Sequence, residues 1–119
     1  MNPVELKERT KILGHTCTKL ALLLPQGNVV AMHLRNELLA VAIDLPSKTR
    51  GLLIGQTTAN FVRKLSDCSE LADRCGYILE FIEEENMMEP KLITPLIDEC
   101  NALIQLFYSA FKSVKDRLD

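Results

Sequence analysis

The sequence predicts an all-α protein that folds as an antiparallel up-down-up-down four-helix bundle, with residues 1–119 forming a single domain. Apolar residues recur at helical spacing in four long segments, and the breaks between these segments are short. Five glycines, two tyrosines and no tryptophan are too few for a sandwich or barrel of many short strands. A chain of 119 residues suits one hydrophobic core and is too short for two.

The first segment, about residues 3–24, is an amphipathic helix. Its apolar seam consists of Leu6, Leu13, Cys17, Leu20 and Leu24. Lys11, His15 and Lys19 lie on another face. Pro25-Gln26-Gly27 then interrupts the pattern, and the Asn28 side chain is suited to cap the helix that follows.

The second segment begins at Val29 and is rich enough in apolar residues to be contacted on more than one side. Its repeating positions are Val30, Leu34, Leu38, Val41 and Leu45. Pro46 either ends this helix or kinks it at a cost of about 3 kcal/mol. Residues 47–50 are able to continue the helix as far as Gly51, and we favour this kinked continuation.

The third segment shows the most regular pattern, a heptad seam without a fault. Its members are Phe61, Leu65, Cys68, Ala72, Cys75, Leu79 and Ile82. Thr57 or Thr58 is predicted to cap its start, and the run Glu83-Glu84-Glu85-Asn86 is predicted to end it.

The fourth segment, residues 89–118, has an unusually wide apolar face. One seam holds Ile93, Leu96, Cys100, Leu103, Phe107, Ala110 and Val114, and beside it lie Ile97, Ile104, Tyr108, Phe111 and Leu118. Pro90 suits a first helical turn, whereas Pro95 marks either a later start capped by Thr94 or a bend. Apolar surface beyond the needs of one bundle core predicts a homo-oligomer, although flanking residues that merely cover the shoulders of the bundle are the alternative.

The formal net charge of −2 hides an uneven distribution of charge. Residues 47–65 contain no acidic side chain and four basic ones, Lys48, Arg50, Arg63 and Lys64, whereas residues 66–101 contain ten acidic and two basic side chains. The predicted topology places the second connection and both termini at one end, which is therefore expected to be basic. Such an end either contacts nucleic-acid phosphates or is a solvated surface that steers subunits.

The sequence offers no catalytic, cofactor-binding or metal-binding residue. Neither His15 nor His33 has the glutamate three positions earlier that a di-iron bundle requires. The four cysteines lack CxxC pairs and are predicted to be buried, namely Cys17, Cys68, Cys75 and Cys100. There is no signal-peptide core and no apolar run near the roughly 20 residues that span a bilayer, so we expect a cytoplasmic protein. Because no catalytic motif is found, we expect it to have no enzymatic activity.

Two stretches of the chain resemble a known bacterial family. They are Leu34-Arg35-x-x-Leu38-x-x-Val41-Ala42-Ile43-x-Leu45-Pro46-Ser47 and Asn60-Phe61-Val62-Arg63-Lys64-Leu65. With the charged first helix and the leucine-rich fourth, they are similar to the four-helix bundles of the 23S rRNA intervening-sequence protein family, which is related to the accessory variability determinants of diversity-generating retroelements. After Pro46-Ser47 that family usually continues Asn-Ile-Ala-Glu-Gly, whereas this chain has Lys-Thr-Arg-Gly-Leu.

The resemblance implies a bundle that assembles as a ring, commonly a homopentamer, with links to structured RNA or to a reverse transcriptase partner. We therefore expect a non-enzymatic, homo-oligomeric interaction scaffold that contacts RNA or a ribonucleoprotein through Lys48, Arg50, Arg63 and Lys64. The alternative is a purely structural or protein-binding module without a nucleic-acid role.

Overall fold

The computed structural model describes residues 2–118 and contains four α-helices. They are α1 (Pro3–Ala21), α2 (Val29–Arg50), α3 (Thr58–Glu84) and α4 (Pro90–Leu118), and a short 3-10 helix, Gly51–Leu53, directly follows α2. No strand occurs between residues 2 and 118, so the all-α class and the four predicted helices are confirmed.

Side-chain caps begin the first three helices. Asn2 and Asn28 each accept a hydrogen bond through Oδ1, from the backbone N–H of Glu5 at 2.9 Å and of Ala31 at 3.0 Å. The Thr57 hydroxyl oxygen accepts from the Asn60 N–H at 3.2 Å. The capping roles predicted for Asn28 and Thr57 are therefore confirmed.

Neither internal proline ends its helix. The structure continues α2 through Pro46 to Arg50, which confirms the predicted continuation of this helix, and α4 begins at Pro90 and continues through Pro95. Thr94 does not cap a later start, because it lies inside α4 and its hydroxyl donates to Glu83 Oε2 on α3 at 3.3 Å.

The core consists largely of the predicted seams. Among the seam residues, the structure leaves Val30 exposed and Phe61, Ala110 and Val114 half-buried, and it buries the rest. Assigning Val30 to the seam of α2 is therefore wrong: it lies in the first turn of the helix, where its side chain is 47% exposed. The second apolar row of α4 is half-buried at Ile104 and exposed at Tyr108.

All four cysteines are buried free thiols, as predicted. Cys17 Sγ on α1 lies 3.8 Å from Cys75 Sγ on α3. Hydrogen bonds with Cys100 and Cys17, together with burial, raise the pKa of Cys75 far above its ordinary value. Burial likewise raises the pKa of Cys68 to about 11. The thiols of Cys68 and Cys75 therefore stay protonated at neutral pH and pack as small apolar groups.

The helices form an elongated body with principal extents of 51 × 20 × 20 Å. Consecutive helices pack against each other, and α4 also contacts α1. An ion pair between Arg9 on α1 and Glu99 on α4 supports this last contact, with Arg9 Nε donating to Glu99 Oε2 at 3.0 Å. The hydrogen bond with Glu99 raises the pKa of Arg9.

α1 and α2 approach each other closely at Gly14. A Cβ atom placed on Gly14 would lie 2.3 Å from the backbone oxygen of Ala42 and 3.0 Å from Pro46 Cγ. Pro46 has no N–H, so it cannot supply the helical hydrogen bond that the Ala42 carbonyl would otherwise accept. The absent side chain of Gly14 thus lets α1 rest directly on the proline-containing turn of α2.

Between residues 2 and 118 no helix combines the length and the apolar character needed to cross a membrane.

Candidate nucleic-acid interface

The four predicted basic residues flank the connection between α2 and α3. Lys48 and Arg50 belong to the last turn of α2, and Arg63 and Lys64 lie near the start of α3. Lys48, Arg50 and Arg63 are exposed, and Lys64 is half-buried. The structure therefore presents them at the surface, but it gives each one different neighbours.

Lys48 faces acidic neighbours across the groove between α2 and α3. Its Nζ lies 3.9 Å from Asp67 Oδ2, and the same groove is lined by Glu70 and Arg74. Because carboxylates offset its charge, Lys48 is a weaker phosphate ligand than its position in the sequence suggests.

Lys64 supports the connection itself. Its Nζ donates to the carbonyl oxygen of Gly51 at 3.4 Å, and the Gln56 side-chain amide donates to the same oxygen at 3.3 Å. These contacts hold the 3-10 turn against α3. Arg63 projects from an exposed position of α3 and forms no ion pair with any residue between 2 and 118.

Arg50 instead lines a cleft together with two lysines of α1. A cleft of about 380 Å³ between α1 and α2, here called the α1–α2 cleft, is lined by Lys7, Lys11, Pro46, Ser47 and Arg50. None of these five residues is acidic. Within residues 2–118, none of the three cations forms an ion pair. The lining of this cleft therefore carries three cations and no carboxylate.

The helices position this cleft through the contact at Gly14. Lys7 and Lys11 are four residues apart, which places them on one face of α1 with about 6 Å of axial separation. Lys11 precedes Gly14 by one turn, and Pro46 both contacts the Gly14 position and lines the cleft. The cleft therefore lies beside the close approach of the two helices at Gly14.

Lys7 and Lys11 were not predicted to line a site together with Arg50. The available signal was the i, i+4 spacing of two lysines on α1, combined with a topology that brings the start of α1 near the end of α2. The cleft offers three cations and the Ser47 hydroxyl, which are donors for an anion. Its lining includes no carboxylate, imidazole or thiol to act as a general base beside Ser47.

A second surface feature lies between α2 and α3. An apolar hollow of about 260 Å³, here called the α2–α3 hollow, includes Val30, Ile78 and the rings of Tyr77 and Phe81. Tyr77 is 64% exposed. One wall carries Glu37, which is ion-paired with Arg74 and lies 3.9 Å from His33 Nε2. An exposed ring beside a half-buried one, with a polar rim, is typical of a protein-binding surface.

Comparisons with models of protein families, with curated proteins and with solved structures find no match to this chain. In the part of the chain from residue 2 to residue 118, no group of three or more histidine, cysteine, aspartate or glutamate side chains is arranged to hold a metal ion.

Proposed function

We propose that this protein is a non-enzymatic, cytoplasmic interaction scaffold that contacts the phosphates of RNA, alone or in a ribonucleoprotein, through its basic end. The observation that carries the proposal is the α1–α2 cleft, where Lys7, Lys11 and Arg50 converge without an acidic neighbour in the lining. Lysine and arginine bind phosphates by displacing condensed counterions, and such binding is largely independent of sequence.

We also propose that the four helices run antiparallel in up-down-up-down order. The connections span only residues 22–28, 51–57 and 85–89, which are too short to return along a rod of this length. Packing between consecutive helices supports the same order. This topology places the α2–α3 connection, the start of α1 and the end of α4 together, which brings Arg50 close to α1.

We infer membership of the 23S rRNA intervening-sequence protein family from the same residues that carry the resemblance. The Leu-Pro-Ser element at residues 45–47 lies late in α2, and two of its members, Pro46 and Ser47, line the α1–α2 cleft. The element therefore belongs to the surface for which we propose phosphate contact.

RNA retention tests the proposed function. We expect the protein to bind single-stranded RNA at low salt, with log K falling against log salt at a slope of about −2 to −3 if three to four phosphates are neutralised. Substituting Lys7, Lys11 and Arg50 with alanine should weaken binding and flatten this slope, and filter binding over a salt series measures both. The control K19A/R35A/K91A removes positive charges elsewhere and should keep its affinity. Elution free of RNA at low salt would refute the proposal.

Solution mass tests the assembly. We propose a homo-oligomer, because large apolar side chains such as Ile43, Ile54 and Tyr108 are more than half exposed in a single chain. The family resemblance implies that this assembly is a ring of five subunits. Light scattering coupled to gel filtration should report about 67 kDa, five times the 13.4 kDa chain mass. A species of 13.4 kDa would contradict the ring.

The α2–α3 hollow favours a second candidate function, that of a protein-binding module without a nucleic-acid role. Exposed aromatic rings beside a polar rim are enriched at protein interfaces. RNA retention separates the two candidates. A module that binds only protein retains no RNA at low salt, and its protein binding does not change when basic residues of this end are substituted.

A further inference from the structure

The donors of the α1–α2 cleft match a single phosphate group with free terminal oxygens. A phosphate monoester carries about −1.5 to −2 charge at pH 7 and three strong acceptor oxygens, whereas each internal phosphodiester of a strand carries one negative charge. The planar guanidinium of Arg50 is suited to bidentate contact with two of these oxygens. The Ser47 hydroxyl offers a further donor from α2, and Lys7 and Lys11 offer donors from α1.

The rest of the basic end does not extend this cleft into a track for a strand. Lys48 lies beside Asp67 and Glu70 in the neighbouring groove, and Lys64 donates to the Gly51 carbonyl. A protein that follows single-stranded nucleic acid needs a continuous positive groove and aromatic platforms on which bases stack. None of the residues that line the cleft is aromatic. Of the four predicted cations, only Arg50 lines the cleft.

The volume of the cleft suits a single small anion such as one phosphate group. Its volume of about 380 Å³ lies near the lower limit of roughly 300 Å³ for small-molecule sites. Pro46 lines it, and the close approach of Gly14 to the Ala42 backbone lies beside it. A site between two helices that are already packed against each other lowers the entropy cost of binding a small anion.

We infer that the α1–α2 cleft binds a phosphate monoester at the terminus of an RNA strand. This inference rests on the proposed function, and it deepens it by naming the group that is recognised. The internal phosphodiesters contribute contacts outside the cleft, through residues such as Arg63. Affinity for RNA is therefore set largely by whether the strand ends in a phosphate.

Fluorescence anisotropy with one RNA sequence in three forms tests this inference: 5′-phosphorylated, 3′-phosphorylated and with hydroxyl groups at both ends. We expect at least one phosphorylated form to bind about tenfold more tightly than the hydroxyl form, as charge-assisted hydrogen bonds predict. The variant K7A/K11A/R50A should lose this preference. The matched control K19A/R35A/K91A, which also removes three positive charges, should keep it. Circular dichroism checks that each variant remains helical.

The milder variant Arg50→Lys keeps the charge but removes the planar guanidinium. It should weaken binding of the phosphorylated RNA severalfold and leave the hydroxyl form unchanged. Equal affinity of the wild-type protein for all three RNAs would overturn the inference and leave the proposed RNA contact standing, whereas failure to bind any of them would refute both.

Two competitors identify the source of the phosphate. We expect inorganic phosphate and a phosphoserine peptide to displace the phosphorylated RNA only weakly, because neither makes the contacts of the adjoining strand. If inorganic phosphate competes on equal terms, the cleft is a site for free phosphate, and the assignment to an RNA terminus is overturned. Tighter binding of the phosphopeptide would overturn it as well.

Discussion

Replacing Gly14 by alanine is expected to destabilise the protein by about 2 kcal/mol, which corresponds to a fall in Tm of about 8 °C for a domain of this size. The added Cβ would lie 2.3 Å from the Ala42 backbone oxygen, a distance at which one of the two helices must shift. The neighbouring atom belongs to the backbone, so a change of rotamer cannot relieve the contact. Alanine favours helix over glycine by up to about 1 kcal/mol, which offsets only part of this loss.

Two other glycines provide graded controls for this substitution. At Gly55 no atom lies within 4 Å of an added Cβ, so Gly55→Ala should leave Tm almost unchanged. At Gly76, inside α3, the added Cβ would lie 3.3 Å from Cys100 Cβ, and the effect should be intermediate. Thermal unfolding followed by circular dichroism measures all three. If Gly14→Ala unfolds at or above the wild-type temperature, the close approach of α1 and α2 is not as described.

Truncation of Phe107 to alanine is expected to cost about 3–5 kcal/mol. Its side chain is 0% exposed, and it is the largest fully buried side chain in the described core. Removing the ring forfeits its transfer free energy and leaves a cavity that the surrounding helices fill only in part. Native domains are stable by only about 5–15 kcal/mol, so a large fraction of the total is lost.

The neighbouring residue supplies the control for Phe107→Ala. Tyr108 follows it on α4 and is 57% exposed, so Tyr108→Ala removes a ring of similar size mainly from solvent. Its cost should stay below about 1 kcal/mol in the isolated chain. Urea unfolding at several protein concentrations measures both variants. Equal losses for the two substitutions would contradict the burial of α4 described above.

Much of the fold is predictable from local pattern. The spacing of apolar residues locates all four helices, and the caps at Asn28 and Thr57 follow from the preference of short polar side chains for helix N-termini. Val30 shows the limit of this reasoning. It has the correct spacing for the seam of α2, yet it lies in the first turn and remains 47% exposed, because spacing does not specify how far the neighbouring helices extend.

The candidate site is predictable only in part. The sequence predicts one RNA-contacting group at one end of the bundle, made of Lys48, Arg50, Arg63 and Lys64. The structure separates them: it directs Lys48 toward Asp67 and Lys64 toward the Gly51 carbonyl. Each of these contacts depends on the direction of a long flexible side chain and on the neighbouring helix. A local sequence pattern specifies neither the direction of the side chain nor the position of the neighbouring helix.

The helical segments and their buried faces are predictable from the sequence, because both follow from the 3.6-residue period and from hydrophobicity within each segment. Which cations share a cleft depends on how the helices pack. Arg50 is separated from Lys7 by 43 positions, and their meeting depends on how α1 packs against α2. That packing is set by the close approach of Gly14 to the Ala42 carbonyl and Pro46, a contact between distant segments whose geometry exists only once the helices have docked.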